Sequence, residues 1–499
     1  MKSILIQNLI NYAKKYLELD NVDELYVRNR LLEACCELDY EDVQGDEIGD
    51  LDCPDSVIDP ILDELINTDV IKPEERELYL CKLLDIVSLK PSEITRKFNE
   101  IKSNKGTASA MKWLHLYSEH NSYIKLTDIR KNLRWFCEGE KGGLEITINL
   151  SKPEKTVSDV KKAFLQKPKY PKCLICPENM GYAGHGTTRQ NLRGIDLKLM
   201  GEDWFWQFSP YAYFNEHGIA INKKHTPMVV NEYNVNKLLD FIDFVPEYFI
   251  GFNAALPIVG GSILAHDHYQ GGRYNLPVFN STDRFVFEKK EYPDVKVSIL
   301  NWYNSVIRLT SKNRINLEKA ATELILSWKS HDDIENNIIS YDSVEHNSIT
   351  AICRYDNEYI INLILRNNIT SELHPEGVYH AHEKYYNIKR EAIGLIEAGG
   401  MFILPARLKR QLAIVSDVLQ GKTNVESLQE DMSVHMPMIE RLVKSHGMNN
   451  SKALSDNIVK EEVERICRRI LENTAVFKDN PVGINGFKKF IFKNGYGEK

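Results

Sequence analysis

Residues Gly251–Arg273 read GFNAALPIVGGSILAHDHYQGGR. Ile258, Val259, Ile263 and Leu264 give the stretch the apolar, β-branched character of a strand, and Gly260-Gly261 marks a bulge or a close backbone approach. Side chains alternate between the two faces of a strand. An extended AHDHYQ therefore sets His266, His268 and Gln270 on one face and Asp267 and Tyr269 on the other, ahead of a flexible Gly271-Gly272. Three nitrogen-bearing groups in a row are costly to bury without partners. A phosphate suits them. A neutral imidazole is a good nucleophile toward phosphorus, its second nitrogen can donate to a backbone carbonyl, and backbone N–H groups near the glycine pair can meet phosphate oxygens. The same residues equally describe a solvated or metal-binding histidine pair.

Outward from this stretch the pattern is mixed. Residues 1–135 read as helical: NLINYAKKYLEL, VRNRLLEACCEL and AMKWLHLYSEH repeat apolar residues at three- and four-residue spacing, with Pro54, Pro60, Pro73 and Pro91 as helix breakers. From GGLEITINLSKPEK onward, strand-like runs appear: DWFWQFSPYAYF, GIAIN, PIVGGSIL, SITAICRYD and EYIINLILR. They alternate with helix-like NKLLDFIDFVPEYF and INLEKAATELILSWKS. Helical patterns return in KREAIGLIEAG and KEEVERICRRILEN. Strands with hairpin-like turns and single helices predict an α+β fold. The expected divisions are a helical region over 1–135, sheet-and-helix halves over 136–280 and 281–430, and a helical tail over 431–499.

The bulk numbers narrow the function. A chain of 499 residues exceeds a typical single core. Its net charge of -8, from 63 basic and 71 acidic residues with no basic block, argues against nucleic acid as the main partner. The nine cysteines are odd in number and scattered, so a disulfide scaffold is not expected. The start MKSILIQNLINYAKKYLELD lacks the apolar core and cleavage site of a signal peptide. No stretch approaches the roughly 18 apolar residues that span a bilayer. A cytoplasmic location without membrane partners is the expectation.

Further polar clusters stand out. Cys173-Leu-Ile-Cys176 is a CxxC, read either as half of a metal site or as two free thiols. Arg189, Asn191 and Arg193 follow in TTRQNLRG, where arginine suits phosphate through paired N–H donors and is also common on surfaces. Arg366, Asn367 and Asn368 end the apolar run YIINLIL, a position from which polar groups meet ligands. His374, His380 and His382 in HPEGVYHAH suit a metal, a sugar phosphate or a polar loop, and Glu376 and Glu397 suit sugar hydroxyls as any carboxylate does. Trp204 and Trp206 read as core rather than as sugar platforms.

The segment His266-Asp267-His268-Tyr269-Gln270 resembles the His-x-His-x-Gln signature of the galactose-1-phosphate uridylyltransferase branch of the histidine-triad superfamily. LYVRNRLLE, EITINLSKPEK, KCLICPENMGYAG, PYAYFNEHGIAIN, ILRNNITSELHPEGVYHAH, IKREAIGLIEAGGMFILPARL and LENTAVFKD extend the resemblance, to the second class of these enzymes, from end to end. It implies two histidine-triad-like halves and a homodimer. It also implies a double displacement: His268 attacks UDP-glucose, glucose 1-phosphate leaves, and galactose 1-phosphate takes the uridylyl group to give UDP-galactose. His266 and Gln270 are implied at the catalytic site, and Asn253, Gly261 and Ser262 in a phosphate-binding stretch. The second half, with Arg366 and Asn367, is implied to bind the hexose phosphate or to complete a neighbouring subunit's site. A zinc site of Cys173, Cys176, His225 and His266, with Asn179 just downstream of the CxxC, is implied by the first class. Asp267 stands where that class has proline, and Ser262 lies one residue farther from His266. Gln270 replaces the third histidine of the hydrolases; an amide cannot act as a general acid, which favours transfer over hydrolysis. A nucleotide phosphorylase of the same branch, or a non-catalytic nucleotide- or metal-binding protein, are the rival readings.

Overall fold

The computed structural model describes residues 3–151, 169–261 and 263–499. The chain falls into two compact units: residues 1–131, 155–226 and 266–273 form one, and 132–154, 227–265 and 274–499 the other.

The first unit opens with helices Ser3–Tyr16, Glu24–Ala34, Asp55–Asn67, Arg76–Val87, Pro91–Lys105 and Thr107–His120. Helix Ser3–Tyr16 buries Ile6, Leu9, Ile10 and Ala13, an apolar stripe at helical spacing. Pro91 opens its helix, where a missing N–H costs nothing, and Pro73 opens a short 3-10 turn. Pro60 differs from expectation: it lies inside Asp55–Asn67 rather than ending a helix. Both Pro60 and Ser56, whose carbonyl loses a donor, are exposed, so water can take the place of the lost hydrogen bond.

Four antiparallel strands follow in the order Gly194–Leu199, Glu202–Phe208, Gly218–Asn222 and His268–Gly272. Trp204 and Trp206 are fully buried between them, as read from the sequence. The expected strand PIVGGSIL is not one. Residues 253–261 and 263–267 form turns and bends, and the strand begins only at His268. Val259 N–H donates to the Pro257 carbonyl and Gly260 N–H to Leu256, so the apolar residues there close a tight turn on itself.

In the second unit, seven strands pair antiparallel in the order Gly497–Glu498, Asp283–Glu288, Lys296–Leu300, Val306–Ser311, Tyr359–Asn367, Asn347–Tyr355 and Phe249–Phe252. Helices Asn234–Phe244 and Arg314–Lys329 accompany them. A three-stranded sheet joins Leu133–Cys137, Leu144–Ile148 and Met401–Leu404, the last pair parallel. Helices Leu408–Leu419, Met436–His446, Lys452–Thr474 and Pro481–Lys493 close the chain. KREAIGLIEAG yields only the short helix Leu395–Ala398, because Gly394 is extended and stands at its N-cap. The fold is α+β, as expected. Among the described residues no helix is long and apolar enough to cross a membrane.

One contact governs the strand beside the histidines. A Cβ on Gly218 would stand 2.2 Å from Trp206 Cζ2 and 2.8 Å from the Gln207 carbonyl. Gly218→Ala is expected to lower the melting temperature, with a cost of about 1–3 kcal/mol for overpacking. An unchanged thermal melt followed by circular dichroism would contradict this account of the packing.

Candidate active site

Cys173 and Cys176 lie on a loop that Asn179 holds: its Nδ2 donates to the carbonyls of Cys173 and Cys176, both at 2.9 Å. His225 sits three residues beyond the strand Gly218–Asn222, and His266 two residues before His268. The fold brings all four together, with ligand atoms within 4.8 Å of one another. Sγ of Cys173 is 3.5 Å from Sγ of Cys176 and 3.3 Å from His266 Nδ1; Sγ of Cys176 is 3.2 Å from His225 Nδ1 and 3.7 Å from His266 Nδ1. Two sulfurs and two nitrogens around a tetrahedral zinc would stand about 3.3–3.8 Å apart.

The chemistry of the donor set fits a cation as well as its geometry does. The hydrogen bond with Cys176 is the main cause that pulls the Cys173 thiol below its usual range. Its contact with Cys173, and burial, push the Cys176 thiol up. Two adjacent thiolates repel each other, and a divalent cation removes that repulsion. His266 Nε2 donates to the Asn222 carbonyl at 2.7 Å, which leaves the Nδ1 lone pair facing the sulfurs.

His268 has the complementary arrangement. Its Nδ1–H donates to the His266 carbonyl at 2.8 Å, so Nε2 carries the lone pair. The ring is buried, and burial lowers its pKa, which keeps it neutral at physiological pH. His266 itself lies before the strand. It turns to the cysteines instead of sharing the face of His268 and Gln270, because Asp267 breaks the run: its N–H donates to Thr226 and its carbonyl accepts from Asn222.

The chain matches the model for the galactose-1-phosphate uridyl transferase N-terminal domain over residues 20–227 and that for the C-terminal domain over 240–433. It belongs to the galactose-1-phosphate uridyl transferase family. Relatives named galactose-1-phosphate uridylyltransferase include one from Caldanaerobacter subterraneus subsp. tengcongensis, 38% identical with 98% of each chain covered. Another, from Lactococcus lactis subsp. lactis, is 39% identical over 97% of this chain and 98% of its own. Among solved structures, a yeast Ap4A phosphorylase aligns with a TM-score of 0.32 at 10% identity, over 74% of this chain and 92% of that one. That likeness is too distant to bear on fold or function.

The other sequence-predicted residues of this family member divide sharply. Arg193 is buried and spent: it donates to the carbonyls of Leu89, Gln190 and Leu192 and pairs with Asp85 at 2.9 Å. Arg189 donates to Tyr123 Oη at 3.0 Å and is half-buried. Asn191 exchanges amide-to-carbonyl hydrogen bonds with Asn121. In the second unit, Asn253 Oδ1 accepts the Leu395 N–H at 2.7 Å, and a Cβ on Gly261 would stand 2.7 Å from Asn253 Nδ2. Ser262 lies outside the described residues. Asn367 is committed to the backbone: Nδ2 donates to Ile339 and Oδ1 accepts from Ile369. Arg366 is fully buried. Glu376 pairs with Arg390 and Glu397 with Lys389. His374 and His382 stack at 3.9 Å without forming a metal cluster; among the described residues the Cys173 group is the set with that geometry.

Sequence reasoning missed Gln207 and His217. The register Gln207–Ile219–Gln270 sets both glutamines on one sheet face. Gln207 is fully buried, and among the described residues neither end of its amide has a hydrogen-bond partner. His217 Nδ1 accepts the Tyr213 N–H at 3.4 Å, its ring packs against Tyr213 and Phe214, its Nε2 has no hydrogen-bond partner among the described residues, and burial lowers its pKa to about 4. The signal was present: a lone amide in the aromatic run DWFWQF is an anomaly for a core strand.

Metal-stripped protein is expected to take up about one equivalent of Co2+ and to show tetrahedral d–d bands with a thiolate charge-transfer band. Cys176→Ala should abolish both. Cobalt spectra identical in wild type and variant would exclude this cluster as the metal centre.

Proposed function

We propose that this chain transfers UMP between UDP-glucose and galactose 1-phosphate through a uridylyl-histidine on His268. The observation that carries the reading is the 2.8 Å hydrogen bond from His268 Nδ1–H to the His266 carbonyl, which leaves a buried, neutral Nε2 as nucleophile. In the first step the Nε2 lone pair forms a bond to the α-phosphorus. The bond from that phosphorus to the bridging oxygen breaks, and glucose 1-phosphate leaves with the electron pair. In the second, a phosphate oxygen of galactose 1-phosphate attacks the same phosphorus, UDP-galactose forms, and His268 recovers its lone pair.

The leaving group in each step is weakly basic, so no general acid is needed. Gln270 is the donor to the phosphoryl oxygens in this reading. Zinc, when bound by Cys173, Cys176, His225 and His266, would serve as a structural cross-link. The chain's own contribution is to fix His266, whose carbonyl orients the nucleophile. Asn179 holds the cysteine loop, and Asn253, Gly261 and Ser262 belong to a phosphate-binding stretch on the family resemblance alone. Nine free cysteines suit a reducing cytoplasm. A homodimer rests on the resemblance only. The net charge of -8 favours a small-molecule enzyme over a nucleic-acid binder.

Intact-protein mass spectrometry with UDP-glucose is expected to show a uridylyl adduct on the wild type and none on His268→Ala, with turnover reduced by a factor on the order of 10^4 or more. Galactose 1-phosphate should discharge the adduct. Discharge by inorganic phosphate instead would favour a phosphorylase, and absence of any adduct would sink the reading. Gln270→His places an imidazole where a water can be activated; it is expected to raise hydrolysis of the adduct, measured as UMP release without acceptor.

A further inference from the structure

The turn at residues 257–261 has a shape that its own sequence resists. Ile258 has φ 72°, a left-handed conformation that a β-branched residue rarely takes. A Cβ on Gly260 would run into the carbonyls of Ala254 and Leu256, so the backbone closes on itself as tightly as glycine permits. Strained backbone persists where the surroundings fix it, and it gathers at functional sites. Inside the turn the Pro257 carbonyl accepts the Val259 N–H at 2.8 Å. A second donor comes from far along the chain: Asn368 Nδ2 reaches the same carbonyl at 3.4 Å.

That contact is the last link of a directed chain. A carbonyl only accepts, so the nitrogen end of the Asn368 amide faces Pro257 and Oδ1 is turned away, to His346 Nδ1 at 2.7 Å. Nε2 of the same ring meets Asp342 Oδ1 at 2.7 Å. A carboxylate and an amide oxygen only accept, so His346 donates from both nitrogens, and each bond fixes the direction of the next. The ring is buried and its backbone is pinned: His346 N–H donates to the Ser340 carbonyl at 2.8 Å, and its carbonyl accepts the Asn368 N–H at 3.1 Å. His346 directly precedes strand Asn347–Tyr355 and Asn368 directly follows strand Tyr359–Asn367, which pair at Asn347 and Asn367. The tether is thus rooted on two adjacent strands, and all of its residues belong to the second unit.

We propose that His346 and Asn368 are positioning residues for the transfer reaction, holding the 257–261 turn, and with it Gly261, in the shape that receives the phosphoryl group. This rests on the transferase reading, in which Gly261 belongs to the phosphate-binding stretch. Both residues act through the turn and not on the reacting atoms. Asn368→Asp keeps the size of the side chain and its acceptor toward His346, and puts an oxygen in place of the donor to Pro257. Steady-state kinetics and hydrogen–deuterium exchange on the full chain test the proposal. The variant is expected to raise the KM for UDP-glucose about three- to tenfold, the worth of one hydrogen bond, with kcat changed by less than about twofold. Exchange at the Val259 and Gly260 amides should quicken while the thermal melt follows that of the wild type. A merely structural lesion would instead lower kcat with the folded fraction and leave KM alone. His346→Gln, whose single amide cannot span Asp342 and Asn368, should act in the same direction. The double variant should be no worse than Asn368→Asp, because both act through one bond. Unchanged exchange in both variants overturns the tether, and faster exchange with an unchanged KM overturns its part in phosphate binding. Additive losses in the double variant overturn the single chain. A wild type that forms no uridylyl adduct removes the transferase reading, and exchange alone then decides the tether.

Discussion

The carbonyl of His266 accepts the Nδ1–H of His268, and the His266 ring donates its own Nε2–H to the Asn222 carbonyl. Each imidazole thus has one nitrogen fixed by a backbone oxygen and the other turned, with its lone pair, to a task. For His266 that task is to face Cys173 and Cys176; for His268 it is to stand as a nucleophile. A neutral imidazole has one donor and one acceptor, so satisfying the donor decides the acceptor. The strand pairing that supplies Asn222 and the cysteine loop that Asn179 holds both serve this division. A displacement of the loop would reach the nucleophile through a single residue, because the backbone of His266 is shared by the two arrangements.

Among the described residues, buried polar atoms without a hydrogen-bond partner occur in both units. Gln207 sits on the face of Gln270, and Arg366 and His380 sit together in the second unit. A core that buries Trp204, Trp206 and Trp328 has apolar residues to spare. Keeping amides, imidazoles and a guanidinium at such positions carries a desolvation cost that packing alone does not offset. The saturated arginine offers the contrast. Arg193 is buried too, yet carbonyls and Asp85 fill its donors, and its work is to tie helix Arg76–Val87 and the following turn to strand Gly194–Leu199.

Much of this was legible in the sequence, and the exceptions have specific causes. Aromatic and β-branched runs such as DWFWQF and EYIINLILR gave strands because alternation and propensity agreed there. PIVGGSIL did not, because two glycines and a preceding proline let the backbone fold back on itself, which apolar content cannot report. Pro60 stayed inside a helix because the carbonyl it leaves open faces solvent, a fact about exposure rather than about residue type. Asn367 and Arg193 had the residue types of phosphate ligands, but their donors found backbone carbonyls first.

The sequence by itself determined the alternation of helical and strand segments, the α+β class, and the HxHxQ and CxxC motifs with their family. These depend on short-range periodicity and on side-chain chemistry, both of which are written locally. Only the tertiary structure decided that Cys173, Cys176, His225 and His266 converge, that His266 turns to the cysteines, and that the donors of Arg193 and Asn367 go to backbone carbonyls. Those outcomes depend on which backbone carbonyl lies within about 3 Å of which side-chain nitrogen, and that is settled by chain segments tens to hundreds of residues apart packing against one another.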